Sequence, residues 1–149
     1  MKVLITGAGG QLGWELVRVA PAGVCIYPLT RDRLDVTDRA QVEQRLLDLC
    51  PEVVINAAVY TAVDAAEAEP ERTYAVNAIS AENIAVIAAS AGINLIHIST
   101  DFVFSGSKAS PYLPTGIAHP LSVYGVSKLE GERRILSTPS NNALIVRTF

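Results

Sequence analysis

Tyr124 and Lys128 stand four residues apart in "SVYGVSKLEGE", the stretch from Ser122 to Glu132, whose pattern predicts a helix. Residues four apart on a helix share a face and lie close enough to interact. A lysine ammonium beside a phenol favours phenolate and draws the pKa down from its ordinary value of about 10. A tyrosine tuned in this way can give or take a proton near neutral pH. The same spacing also describes an amphipathic surface helix with a half-buried tyrosine and a solvated lysine. Gly125 and Gly131 weaken the helix, and Gly125 leaves room beside the phenol for a cofactor or substrate.

Two other stretches give that pair a context. Thr6-Gly7-Ala8-Gly9-Gly10-Gln11-Leu12-Gly13 follows a short apolar run and opens a helical pattern, with Gly7, Gly10 and Gly13 three residues apart. Glycines there allow positive φ and bring backbone amides close to a pyrophosphate, and the helix N-terminus adds unpaired N–H groups. No Lys-Ser or Lys-Thr pair follows the loop, which argues against a P-loop NTPase. Thr100 closes the apolar run "INLIHIST", at the C-terminal end of a strand where open α/β sheets place their sites.

These residues need a scaffold, and the composition describes one. Half of the 149 residues are apolar but only 6% are aromatic, so Ala, Val, Leu and Ile must fill the interior. That suits parallel strands buried on both faces. Expected strands are Lys2 to Thr6, Val24 to Leu29 with pairing ending at Pro28, "EVVIN", "INLIHIST" and "ALIVRTF". Expected helices run from about Gln11 to Ala20, from Arg39 to Leu49 with Thr37 or Asp38 as cap, from Glu71 to Ala91 with Gly92 as stop, and around Tyr124. Ile79, Ile84 and Ile87 share one side of the third helix, and a Pro/Gly/Ser-rich loop spans Gly106 to Pro120. The alternation predicts an α/β fold with a doubly wound parallel sheet in three α/β/α layers, one NAD(P)-binding Rossmann domain over 1–149.

A formal charge of −3 with no basic run argues against nucleic acid as a partner. The apolar start is too short for a signal peptide, and no apolar run approaches membrane-spanning length, so a cytoplasmic location is expected. Cys25 and Cys50 have no metal-type spacing and are expected as small buried hydrophobes. The chain ends at Phe149, in or just after an apolar strand, and this predicts a fragment or the nucleotide half of a longer enzyme.

The glycine loop, "INAAVYTAVDAAEAEPERTYAVN" and the Thr100, Tyr124, Lys128 set resemble the short-chain dehydrogenase/reductase superfamily. "GQLGWEL", "NAAVYTAVDAAEAEPE", "STDFVFSG", "PLSVYGVSKLEGE" and "IVRTF" narrow this to a resemblance with the dTDP-4-dehydrorhamnose reductase family, across essentially the whole chain. The resemblance implies a C-terminal substrate domain beyond this chain. It also implies NAD(P)H-dependent reduction of a dTDP-4-keto-6-deoxysugar, dTDP-4-dehydro-L-rhamnose, to dTDP-L-rhamnose. Tyr124 would protonate the 4-keto oxygen, and Lys128 would lower the tyrosine pKa and hold the nicotinamide ribose. Thr100 would position the keto oxygen, with Asp101 facing the substrate. Gly7, Gly10, Gln11 and Leu12 would form the pyrophosphate loop. Asp35 and Val36 would meet the adenine edge, and Val59, Tyr60 and Thr61 the ribose side.

Where NAD-preferring folds end the second strand with an acid, this chain has Leu29-Thr30-Arg31. Arg31, with Arg33 close behind, suits a 2′-phosphate, so NADPH is favoured with NADH left open. The alternating charges of Arg31, Asp32, Arg33 and Asp35 also fit a solvated loop. Glu15 matches a position that, in some members of the resembled family, joins a Mg²⁺ site at a homodimer interface. A solvent-facing helix carboxylate is the simpler reading, and no metal site is assigned. Asn77 fits either a proton-relay asparagine of the superfamily or a tolerated polar residue. His97 fits a satisfied core histidine, and His119 the surface. Two rival readings remain: another extended nucleotide-sugar epimerase or dehydratase, and a non-catalytic dinucleotide-binding subunit resembling the methionine adenosyltransferase beta subunit.

Overall fold

Val3, Leu4 and Ile5 point alternately to the two faces of the first strand, and both faces are buried. The computed structural model describes residues 1–140 and 142–149. Its strands are β1 (Lys2–Thr6), β2 (Cys25–Leu29), β3 (Val53–Asn56), β4 (Asn94–Thr100) and β5 (Ala143–Thr148). All pair in parallel in the order β2-β1-β3-β4-β5. The expected doubly wound α/β sheet is therefore present.

Helices α1 (Gln11–Arg18) and α2 (Arg39–Leu49) connect the first three strands. Asp38 caps α2, its carboxylate accepting from the Gln41 N–H at 3.1 Å. The expected single helix from Glu71 to Ala91 is instead three pieces, preceded by a further short helix. These are α3 (Val63–Ala68), α4 (Pro70–Tyr74), one π-helical turn (Ala75–Ile79) and α5 (Ser80–Ser90). Gly92 stops the run at φ +68°. Ile84 and Ile87 are buried, whereas the π turn leaves Ile79 exposed. After β4 come a short 3₁₀ turn (Asp101–Val103), an irregular loop and α6 (Val123–Ser137).

Leu4, Val54 and Leu95 join α2, α5 and α6 side chains in one core, while Val3, Ile5 and Ala8 pack with Leu16 and Val17 of α1 on the other face. Each fully buried aliphatic side chain contributes about 1.5–3 kcal/mol. Two local expectations fail. Pro28 does not end the pairing of β2, which continues to Leu29, because β2 is an edge strand and needs no N–H on its outer side. Cys25 and Cys50 are exposed, since one starts that edge strand and the other is the left-handed C-cap of α2 at φ 43°.

Candidate active site

The connection from β1 runs outward to β2, whereas the chain from β3 onward builds to the other side. The cleft opens at this reversal, where open α/β sheets bind ligands. Gly7 sits there with φ +66°, and an added Cβ would lie 2.6 Å from the Ala57 carbonyl oxygen and 2.7 Å from the Ala58 nitrogen. Glycine at this position thus lets the loop after β1 lie against the loop after β3. Gly10 is the N-cap of α1 and has no side chain to cap it, so the first N–H groups of the helix are available to an anion.

At one end the cleft is lined by Gly7, Arg31, Asp35, Val36, Val59 and Tyr60, with Arg72 and Val76 completing it. Arg31 is exposed there. Asp35 accepts from the Thr37 hydroxyl and N–H, and these bonds hold its carboxyl below the ordinary range. Tyr60 is pinned by backbone and side chain. Its N–H donates to Asn77 Oδ1 at 2.9 Å, and its hydroxyl donates to Glu69 at 3.1 Å. Asn77 also donates to the Tyr60 carbonyl and to Ser127 Oγ on α6, so it fastens the cleft loop to the Tyr124 helix. That makes it a structural tie rather than a merely tolerated polar residue.

The other end is lined by Gly10, Gln11, Leu12, Gly13, Val59 and Thr61 and extends to Thr100, Tyr124 and Lys128. The residues named for the dinucleotide loop, with Thr100, Tyr124 and Lys128, thus line two adjoining clefts that share Gly7, Ala58 and Val59. Asp101 does not: it lies in a further cleft formed with Phe104, Tyr112 and Arg147. It is tied to the groove by Thr100, whose hydroxyl donates to Asp101 Oδ1 at 3.3 Å. The Thr100 oxygen also accepts the Phe102 N–H at 3.1 Å, fixing the 3₁₀ turn.

Tyr124 and Lys128 both line the groove, but their electrostatics differ from the expectation. The Tyr124 pKa is raised, first by burial and then by the charge of Asp101, with the Thr100 hydroxyl opposing. The causes of this shift are burial, Thr100 and Asp101, and the Lys128 amine is engaged by other partners. Lys128 Nζ donates to the Ile98 carbonyl at 2.6 Å and lies 3.2 Å from His97 Nε2. Burial draws the Lys128 pKa down to about 8, with Glu132 opposing. His97 is indeed a satisfied core histidine, 1% exposed.

Nor does Gly125 leave a space beside the phenol. A Cβ there would strike the Phe102 carbonyl and lie 3.0 Å from Pro120 Cβ, so the glycine lets α6 press against the 3₁₀ turn. This packing brings the Phe102 ring edge-on to Tyr124, 5.7 Å between centroids. Gly131 does the same against the π turn, where a Cβ would strike the Asn77 carbonyl. Glu15 is half exposed and pairs with Arg18 at 2.7 Å. His119 is exposed. Among the described residues no group of acidic, His or Cys side chains could hold a metal ion, and no helix is long and apolar enough to cross a membrane. The sequence reading missed Phe102 and gave the Asn56 side chain no role; "STDFVF" placed the first beside Thr100, and "INAAVYTAV" carried the second.

The family profile described as "RmlD substrate binding domain" matches residues 1–149. The chain is 42% identical over 138 residues to a dTDP-4-dehydrorhamnose reductase of Burkholderia thailandensis, covering 93% of this chain and 46% of that protein. It is 43% identical over 149 residues to one from Aggregatibacter actinomycetemcomitans, covering 99% of this chain and 50% of that protein. A crystal structure of dTDP-4-dehydrorhamnose reductase from Bacillus anthracis in complex with NADP superposes with a TM-score of 0.95 at 39% identity, covering 98% of this chain and 52% of that one. The chain thus spans about half the length of the curated relatives it matches.

Proposed function

This chain belongs to the RmlD substrate-binding-domain family, and from that premise we propose that it is the dinucleotide-binding, proton-donating half of a dTDP-4-dehydrorhamnose reductase. The observation that supports this most is the convergence of Thr100, Tyr124 and a buried Lys128 on the groove that also holds the glycine loop. A purely structural helix gains nothing from burying a lysine, which carries a desolvation cost.

The residues fit NADPH. The uncapped start of α1 at Gly10, Gln11 and Leu12 would take the pyrophosphate, and Gly7 lets the loop lie close. Asp35 and Val36 would meet the adenine edge, Arg31 a 2′-phosphate, and Val59, Tyr60 and Thr61 the ribose side. NADPH, when bound, supplies a hydride.

The chain's own residues manage the proton. A Tyr124 pKa raised by burial keeps the phenol protonated at neutral pH, which is the form needed to donate to a ketone oxygen as it becomes an alkoxide. The Tyr124 O–H bond breaks and the product O–H bond forms; the phenolate then recovers a proton from solvent. The Thr100 hydroxyl would orient the ketone oxygen by turning its O–H from Asp101 to that oxygen, while its own oxygen keeps accepting the Phe102 N–H. Lys128 would bind the ribose hydroxyls and, once charged, stabilise the transient phenolate. The substrate is a dTDP-4-keto-6-deoxysugar, as the names of the relatives suggest. We place the remaining sugar contacts in a C-terminal domain like that of the longer relatives.

The cofactor half of this proposal is tested by titrating the chain with NADPH and NADH and following reduced-nicotinamide fluorescence. NADPH is expected to bind more tightly, and Arg31→Ala to remove most of the difference. Equal affinity in the unaltered chain would overturn the role given to Arg31.

A further inference from the structure

Lys128 is the end of a buried chain that leads away from the groove. Its Nζ lies 3.2 Å from His97 Nε2, and His97 Nδ1 lies 3.1 Å from Asn56 Nδ2. Asn56 Oδ1 in turn accepts from the Thr6 hydroxyl at 2.7 Å and the Ala58 N–H at 3.3 Å. Thr6, Asn56, His97 and Lys128 are each 1% exposed. They come from β1, β3, β4 and α6, so the chain crosses three neighbouring strands beneath the site.

Counting donors leaves few options. Burial and the neighbouring Lys128 hold the His97 pKa well below the imidazole range, so the ring is neutral and carries one N–H. While Asn56 Oδ1 accepts from Ala58, its amide nitrogen faces His97 Nδ1, which must accept. The imidazole proton then sits on Nε2 and points at Lys128 Nζ, which can accept it only as a free amine. An ammonium needs the reverse: Nζ donates to Nε2, and the proton sits on Nδ1 and requires an oxygen from Asn56. The amide must then turn over, and the Ala58 N–H loses its acceptor. The Thr6 hydroxyl serves either arrangement by rotating.

We propose that His97 and Asn56 are positioning residues that couple the charge on Lys128 to the backbone at Ala58, in the loop lining the dinucleotide groove. The amine goes with the Nε2–H tautomer and an anchored Ala58, the ammonium with the Nδ1–H tautomer and a released one. This rests on the reading of Lys128 as the residue that holds the cofactor ribose as an ammonium.

Other groups facing Lys128 bear on the balance without replacing the coupling. The Ile98 carbonyl on β4 accepts from Nζ in both arrangements. Glu132, one turn further along α6, favours the ammonium and is itself held by Ser99 Oγ and Arg147. Tyr124 stands one turn earlier on α6 and lines the same cleft, and Asp101 acts on it from the 3₁₀ turn.

Ring-nitrogen ¹⁵N NMR of the cofactor-free chain reads the tautomer directly. The sequence has two histidines, and the exposed His119 serves as an internal reference. His97 is expected to stay neutral and to change from Nδ1–H to Nε2–H as the pH rises through the Lys128 midpoint of about 8. Lys128→Met should freeze it in one tautomer. A single tautomer throughout in the unaltered chain, a swap that survives Lys128→Met, or an imidazolium with an ordinary midpoint of about 6.5 would each overturn the coupling. NADPH affinity gives a second reading: it should weaken by up to about tenfold per pH unit above that midpoint. His97→Phe should shift the midpoint of this dependence, because Lys128 then titrates without the imidazole partner, and His97→Gln, whose amide can present donor or acceptor, should bring it back. An unchanged pH profile in His97→Phe would also overturn the coupling. Failure of NADPH to bind at all would instead remove the functional reading and leave the tautomer result standing.

Discussion

Lys128 on α6 reaches back to the C-terminal end of β4 and donates to the Ile98 carbonyl at 2.6 Å, which ties its amine to the sheet. Two residues one helical turn apart thus line the same groove while their polar atoms are held by different partners. In the cofactor-free chain Tyr124 answers to Thr100 and Asp101, and Lys128 answers to Ile98 and His97.

The lysine leaves a signature in stability against pH. Its pKa is about 8 in the folded chain against an ordinary 10.5. Between those values the unfolded chain holds a proton that the folded chain has released, so stability rises with pH across the window. Below about 8 the cost of burying the charge is fully present. The raised Tyr124 pKa acts only above its ordinary 10 and in the opposite sense. Urea denaturation at pH 7 and pH 9.5 is expected to show the gain, and Lys128→Met to remove it. A rise of equal size in the variant would contradict this assignment.

Glu132 and Arg147 form a nearly buried pair, their side chains 3% and 24% exposed and 2.6 Å apart. Arg147→Met strands the Glu132 carboxylate and is expected to cost about 3–5 kcal/mol. Replacing both, with Glu132→Leu added, should recover most of that loss. A double variant no more stable than Arg147→Met, measured by chemical denaturation, would show that the pair matters for something besides charge balance.

Gly131→Ala would push a methyl group into the Asn77 carbonyl at the π turn. We expect a loss of about 1–3 kcal/mol from the overpacking. NADPH binding should weaken with it, because Asn77 ties the Tyr60 backbone to Ser127. Calorimetric titration beside a thermal melt separates the two effects. Unchanged affinity in the folded variant would mean that the groove does not depend on this contact.

The sequence made the sheet, the phosphate loop and the Thr100, Tyr124, Lys128 grouping legible, because each rests on short-range pattern: apolar runs, glycine spacing and one helical turn. What it hid depends on contacts between distant segments. Gly125 and Gly131 looked like weak points of a helix, yet their reason is the Phe102 and Asn77 carbonyls on other elements. The Tyr124 pKa was misjudged because i, i+4 spacing specifies a shared face but not the direction in which a long lysine side chain turns. The motif "NAAVYTAV" was legible but the role of the Asn56 side chain was not, since its partners, Thr6 and His97, lie on the neighbouring strands. Asp101 follows Thr100 directly, but the 3₁₀ turn places it in another cleft.

The most direct test of the account concerns Tyr124. In a protein carrying this chain together with a C-terminal half like that of its relatives, oxidation of NADPH should be followed by the loss of reduced-nicotinamide absorbance in the presence of a dTDP-4-keto-6-deoxysugar. Tyr124→Phe is expected to lower kcat by about 10²–10⁴-fold while leaving the NADPH Kd within about twofold. A variant that keeps most of its turnover, with the same cofactor affinity, would contradict the assignment of Tyr124 as the proton donor.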